Sequence, residues 1–150
     1  MIRTIIKDKE KLHTYCSEID FEDNADRIRA SRIAGDLINT LAEHKNGIGL
    51  AAPQIGENRR MFIFQRNGQN ILVVNPEIVE KSKGRIGNNE QCLSCPGADK
   101  RIMRHLAVTA SWYDIDGKPH KLKLKGLPAI IFQHELDHLN GILITDYQGA

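Results

Sequence analysis

The chain has 150 residues, 41% of them hydrophobic and 27% charged, with a formal net charge of +2. That length suits one domain with a sizeable core rather than two, and so small a charge gives no reason to expect a specific nucleic-acid target. No apolar run approaches the ~20 residues of a membrane span, and Met1-Ile2-Arg3 leads into Lys7-Asp8-Lys9-Glu10-Lys11 without a signal-like stretch, so the expected setting is the cytoplasm with no membrane partner.

His13 with Cys16 is a weaker possible metal pair, and both residues read as surface or helix packing because no further ligand cluster accompanies them. Over about 25–45 the apolar positions Ile28, Ile33, Ala34, Leu37, Ile38 and Leu41 recur at helical spacing, with Asp23 or Asn24 as cap and Gly47 as stop. The stretch from Gly47 to Gly56 lacks the spaced glycines of a dinucleotide fingerprint and the Gly-Lys-Ser or Gly-Lys-Thr end of a phosphate loop. It is either a tight connection or, beside a metal, a run of peptide groups able to pair with an extended peptide, with Gln54 donating to developing oxygen charge and Ile48 recognising a side chain.

Residues 61–64 and 71–74 predict strands joined by Asn67-Gly68, a strong hairpin signal, and residues 105–113 and 120–125 predict a further pair across Asp116-Gly117. Lys121, Lys123 and Lys125 alternate with Leu122 and Leu124, the pattern of a strand with one wet face and one packed face. Gly126 releases the chain into a helix with Pro128 in its first turn and a stop near Asn140-Gly141. Ile130, Ile131, Phe132, Leu136 and Leu139 spread around that helix, so it is expected to be central and largely buried. Residues 142–145 are expected as a closing strand and 146–150 as a tail. Helices segregated from antiparallel hairpins make the predicted class α+β.

The central helix carries His134-Glu135-Leu136-Asp137-His138, two histidines on one face with a carboxylate beside the first, the pattern of a metal site awaiting a third ligand. A downstream glutamate is excluded, since none follows Glu135, and a third histidine in metzincin register is excluded because position 144 is Ile144. The ligand therefore lies upstream, where Cys92 and Cys95 flank Leu93-Ser94 among turn-forming residues. Two other readings stand beside this one. The histidines can be a satisfied core pair, and the cysteines a redox pair, although the latter leaves the histidine helix unexplained. Three cysteines in all cannot make a fully paired disulfide scaffold.

Three segments together resemble the peptide deformylase family: Gly-x-Gly-Leu-Ala-Ala-x-Gln from Gly47 to Gln54, Glu-x-Cys-Leu-Ser from Glu90 to Ser94, and Gln133-His134-Glu135-Leu136-Asp137-His138-Leu139-Asn140-Gly141. The likeness extends over most of the chain from Gly47 onward, including Asn75-Pro76-Glu77 and Asp116-Gly117-Lys118-Pro119. It implies one catalytic domain over 1–150, with antiparallel sheets around the central helix, that removes formate from N-formylmethionyl nascent peptides and associates transiently with the ribosome. It places the metal ligands on Cys92, His134 and His138, with Fe(II) the ion in many members and Zn(II), Ni(II) or Co(II) able to occupy the same site. It places the acid/base on Glu135 and the oxyanion donors on the Gln54 side chain and the Leu93 backbone N–H. The methionine pocket falls on Ile48, Leu127, Ile130, Ile131 and His134, peptide pairing on Gly47 to Gly49, and a bracing charged pair on Glu90 and Arg104.

The sequence departs from the family pattern at Gln91, where glycine is usual, and at Cys95, whose thiol would allow oxidation to displace the metal if it reaches Cys92. The short stretch after His138 resembles compact members, including those encoded by bacteriophages, for which the compartment would be the host-cell cytoplasm. The alternative expectation is a related metalloamidase or a metal-stabilised peptide-binding protein without efficient deformylation; Glu135 and Gln54 argue for catalysis, since passive metal binding needs neither.

Overall fold

A computed structural model describes residues 1–148, and it bears out the α+β class. In chain order the elements are α1 (Lys9–Leu12), α2 (Asn24–Ala42), β1 (Gly49–Ala51), β2 (Met61–Arg66), β3 (Gln69–Lys81), β4 (Arg85–Glu90), β5 (Lys100–His105), β6 (Ala107–Tyr113), β7 (Pro119–Lys125) and α3 (Leu127–Leu139), with 3-10 turns over Ala52–Ile55 and Ile144–Asp146. Five strands form an antiparallel sheet in the order β1-β2-β3-β6-β7, and β4 pairs with β5 in a separate two-stranded sheet.

Strand β2 shows how the layers assemble. Met61, Phe62, Ile63 and Phe64 are all fully buried, because alternate side chains leave a strand on opposite faces and a helix covers each one. Phe62 and Phe64 pack edge-on against Phe132 of α3, at ring separations of 5.0 and 5.5 Å, while Met61 and Ile63 join Ile33, Leu37 and Leu41 of α2. Asn67 and Gly68 both take positive φ, 54° and 76°, which is the backbone a tight hairpin between β2 and β3 requires.

Helix α2 begins as expected, with the Asp23 side chain accepting from the Ala25 N–H. It ends at Ala42 rather than near Lys45, since the Glu43 and His44 amides already turn back onto Thr40 and Leu41. Ile28 and Ile38 are exposed, because the buried stripe runs through Ala30, Ile33, Leu37 and Leu41 and leaves them to its sides.

The expected closing strand over 142–145 is absent. Leu143 and Ile144 instead bury beside Ile102 and Cys95 in a 3-10 turn, whose Leu143 N–H is held by the Asp146 carboxylate; this short apolar run fills a gap without needing a strand partner. Of the expected tail, Tyr147 is packed, whereas residues 149–150 lie outside the described residues. The sheet of β4 and β5 was not anticipated, because Arg85–Glu90 and Lys100–His105 are too polar to alternate clearly.

In β3, Asn75 has φ 51° and its side-chain amide exchanges two hydrogen bonds with the Ile19 backbone, each 2.9 Å long. The kink coincides with a register shift against β6 and ties the N-terminal segment to the sheet. His13 is exposed and pairs with Asp146 at 3.0 Å, whereas Cys16 is fully buried in the core. Lys121, Lys123 and Lys125 are exposed on β7 while Leu124 is buried, as the alternation predicts.

Candidate metal centre

Helix α3 sets His134 and His138 one turn apart, with their rings edge-on at 5.1 Å. The third donor arrives on a different element, the turn that follows β4. There the Cys92 Sγ lies 3.4 Å from His138 Nε2, and the sulfur and one nitrogen of each ring are all within 4.8 Å of one another. One thiol and two imidazoles form a donor set suited to Fe(II) or Zn(II).

Both rings are fixed in place beside the thiol. Glu90 Oε1 lies 2.8 Å from His134 Nδ1, which leaves the other nitrogen of that ring for the cluster. Burial, reinforced by the nearby His134, drives the His138 pKa well below its ordinary value, and its buried Nδ1 has no hydrogen-bond partner among the described residues. The ring is therefore neutral, the form in which histidine binds metals. These observations make the residues present a good fit to a divalent metal.

Behind the cluster runs a charged relay. Arg104 donates from Nη2 and Nε to the two Glu90 oxygens at 2.7 and 2.9 Å, and from Nη1 to Asp137 at 2.6 Å. The Tyr147 hydroxyl donates to the same Asp137 oxygen at 2.6 Å. Burial opposes the charge on Glu90, but the hydrogen bonds from Arg104 and His134 outweigh it and bring the pKa to about 2. Glu90 is consequently an anion aimed at a ligand histidine.

Glu135 faces the cavity with its carboxylate buried and Oε1 unpaired among the described residues. Burial pushes its pKa up to about 7, with His134 pulling the other way. Gly49 of β1 makes room for this group, since a Cβ there would collide with the carboxylate. Gln54 is held by its own Oε1, which accepts the Ala51 N–H at 3.0 Å; its Nε2 then points at Ser94 Oγ, 3.1 Å away, and Cys92 Sγ, 3.6 Å away.

A cavity of about 890 Å³ opens over these groups. Gly47, Ile48 and Gly49 line one wall, Leu93 and Gln91 another, and Leu127, Ile130 and Ile131 a third. Ile48 and Leu127 are exposed at the rim, whereas Ile130 and Ile131 are buried. Every residue expected at the site is thus brought to this region, with His138 and Arg104 set behind the wall.

A family model described as polypeptide deformylase matches residues 2–149. The chain belongs to the peptide deformylase family. It is 41% identical over 118 residues to the peptide deformylase of Dictyoglomus thermophilum, covering 79% of this chain and 76% of that one. It is 39% identical over 140 residues to that of Chromobacterium violaceum, covering 91% and 80%. Among solved structures, a peptide deformylase from Thermotoga maritima superposes with a TM-score of 0.89 at 31% identity, covering 100% of this chain and 99% of that one. A Met-Ala-Ser-bound class I type b peptide deformylase from Acinetobacter baumannii gives 0.87 at 28% identity, covering 97% and 98%.

Peptide deformylases are metal-dependent hydrolases that act on N-formylmethionyl peptides in protein biosynthesis, and this chain is a hydrolase of that kind. Four supporting residues of this deformylase escaped the sequence reading. Ser94 meets Gln54, Asp137 and Tyr147 extend the Arg104 relay, and Gln133 pins α3 to the β5–β6 connection through hydrogen bonds with both the His105 N–H and carbonyl. Ser94, Gln133 and Asp137 stand within the motifs that carry the resemblance, but their partners are distant in sequence, so only the fold reveals what they do.

Proposed function

We propose that Cys92, His134 and His138 hold Fe(II), with Zn(II), Ni(II) or Co(II) able to replace it, and that Glu135 is the acid/base for removing formate from N-formylmethionyl peptides. The observation that carries this reading is the meeting of one sulfur and two ring nitrogens within 4.8 Å, beside a buried carboxylate and at the floor of a cavity. When bound, the metal supplies a Lewis acid for the formyl oxygen and for water.

The chain's own groups supply the rest. Glu135, with a pKa near about 7, takes a proton from the attacking water and returns one to the departing amine as the C–N bond breaks. The Gln54 Nε2 and the Leu93 backbone N–H donate to the oxygen that gains charge. Gly47 to Gly49 offers its backbone to an extended peptide in this reading, with Gly49 opening β1 at the edge of the sheet. Ile48, Leu127, Ile130 and Ile131, with the His134 ring, make an apolar wall for the methionine side chain. The Met-Ala-Ser bound to the Acinetobacter protein supports a peptide that begins with methionine.

In this reading one catalytic domain over 1–150 works in the cytoplasm, consistent with no helix among the described residues being long and apolar enough to cross a membrane. Transient association with the ribosome would use the exposed Lys121, Lys123 and Lys125. The deciding assay compares formyl-Met with acetyl-Met peptides on anaerobically prepared, iron-loaded protein. Formate release from the first alone, lost in Glu135→Ala with metal retained, is the expected outcome. Peptide and metal binding without formate release would favour a peptide-binding protein instead.

A further inference from the structure

Cys92 and Cys95 stand at the two ends of a turn closed by the Cys95 N–H donating to the Cys92 carbonyl at 3.0 Å. A hydrogen-bonded turn of four residues brings its terminal Cα atoms within ~7 Å, which reaches the range a disulfide spans. Both thiols are free, and both residues line the active-site cavity. Their exposure differs: Cys92 is half-buried, whereas Cys95 is buried beside Leu143 and Ile144. The Cys95 thiol is within hydrogen-bonding reach of the Cys92 sulfur. Cys16 is buried in a separate cluster with Phe62 and Phe132, away from this pair.

We propose that Cys92 and Cys95 are an attacking and a resolving thiol, which a hydroperoxide entering the cavity converts to a disulfide that withdraws Cys92 from the metal group. In the first step the Cys92 sulfur attacks the peroxide, an S–O bond forms and the O–O bond breaks, and the released hydroxide leaves as water with the thiol proton, or with a proton from solvent where Cys92 is a thiolate ligand. In the second step the Cys95 sulfur attacks the Cys92 sulfenic acid, the S–S bond forms and the S–O bond breaks, and the hydroxide leaves as water with the Cys95 proton. The two thiols lose two electrons and hydrogen peroxide gains them. Without a resolving thiol, a sulfenic acid at Cys92 passes onward to sulfinic acid, which a dithiol does not reverse. The effect on the metal rests on Cys92 being a ligand, while the bond itself rests only on the turn.

The test uses the full chain loaded with Zn(II), which has no redox chemistry of its own, and hydrogen peroxide as oxidant. The tryptic peptide 86–100 holds both cysteines. In the wild type this peptide becomes lighter by two hydrogens, the thiol count falls from three to one, zinc is released in parallel, and dithiothreitol restores the thiols and zinc binding. In Cys95→Ala the same treatment adds oxygens at Cys92, and dithiothreitol recovers neither; Cys95→Ser, which retains a polar atom of similar size, behaves the same way. Wild-type protein that gains oxygens at Cys92 while Cys95 stays a free thiol would overturn the proposal. A disulfide formed with no loss of zinc would uphold the thiol pair and overturn the assignment of Cys92 as a ligand.

Discussion

The Glu135 carboxylate occupies the space into which a side chain on Gly49 would project. The edge strand β1 and the helix that carries Glu135 thus meet across a single missing methyl group. Gly49→Ala is expected to push the carboxylate aside and lower kcat by roughly 10²-fold, the cost of a misplacement of about 1 Å. Metal content should stay at the wild-type level, measured by elemental analysis beside steady-state kinetics.

Gln54 is oriented by the Ala51 N–H, and this leaves its amide nitrogen as the donor toward the Cys92 side of the site. Gln54→Ala should lower kcat by roughly 10²- to 10³-fold with little change in KM, as for loss of one oxyanion donor. Gln54→Glu preserves the acceptor and removes the donor, so it should fail to rescue. A raised KM with unchanged kcat would oppose the assignment.

Arg104 and Glu90 are both 4% exposed at their side chains, so removing either partner strands a buried charge. Arg104→Ala is expected to destabilise the fold by about 3–5 kcal/mol, measured by denaturant unfolding. It should also weaken metal retention roughly 10- to 100-fold in chelator competition, because Glu90 then loses the partner that keeps it aimed at His134. Wild-type retention in folded Arg104→Ala would remove the bracing role.

Away from the metal, Arg59 donates to both oxygens of Asp26, and these bonds, followed by the Asp20 N–H, hold the carboxyl well below its ordinary pKa. A carboxylate whose pKa is depressed on folding contributes stability above its unfolded pKa, about 3.9, and that contribution is lost as the pH falls through the folded value. Arg59→Met should therefore cost roughly 2 kcal/mol at neutral pH. The difference in Tm between the two proteins should shrink steadily below about pH 4, followed by calorimetry across an acid series.

The parts of this fold that were legible in the sequence are those with strong local chemistry. Asn67-Gly68 fixed a hairpin because both residues tolerate positive φ, and the apolar sheath of α3 announced a buried helix. Exclusion of a downstream glutamate and of a histidine at position 144 pointed upstream to the two thiols, and the resemblance to peptide deformylases singled out Cys92. What escaped was set by distance: strands β4 and β5 are held by pairing and by Arg104 rather than by an alternating apolar face, and Tyr147 finds Asp137 only after the chain folds back. Residues 142–145 misled because a short apolar run buries equally well as strand or turn.

The three clustered donors come from two separate parts of the fold. His134 and His138 are mounted on a helix enclosed by the core, while Cys92 arrives at the end of a small polar ribbon anchored through Arg104. The cluster is accordingly complete only where the ribbon is docked on the helix, a contact that Arg104 makes through Asp137.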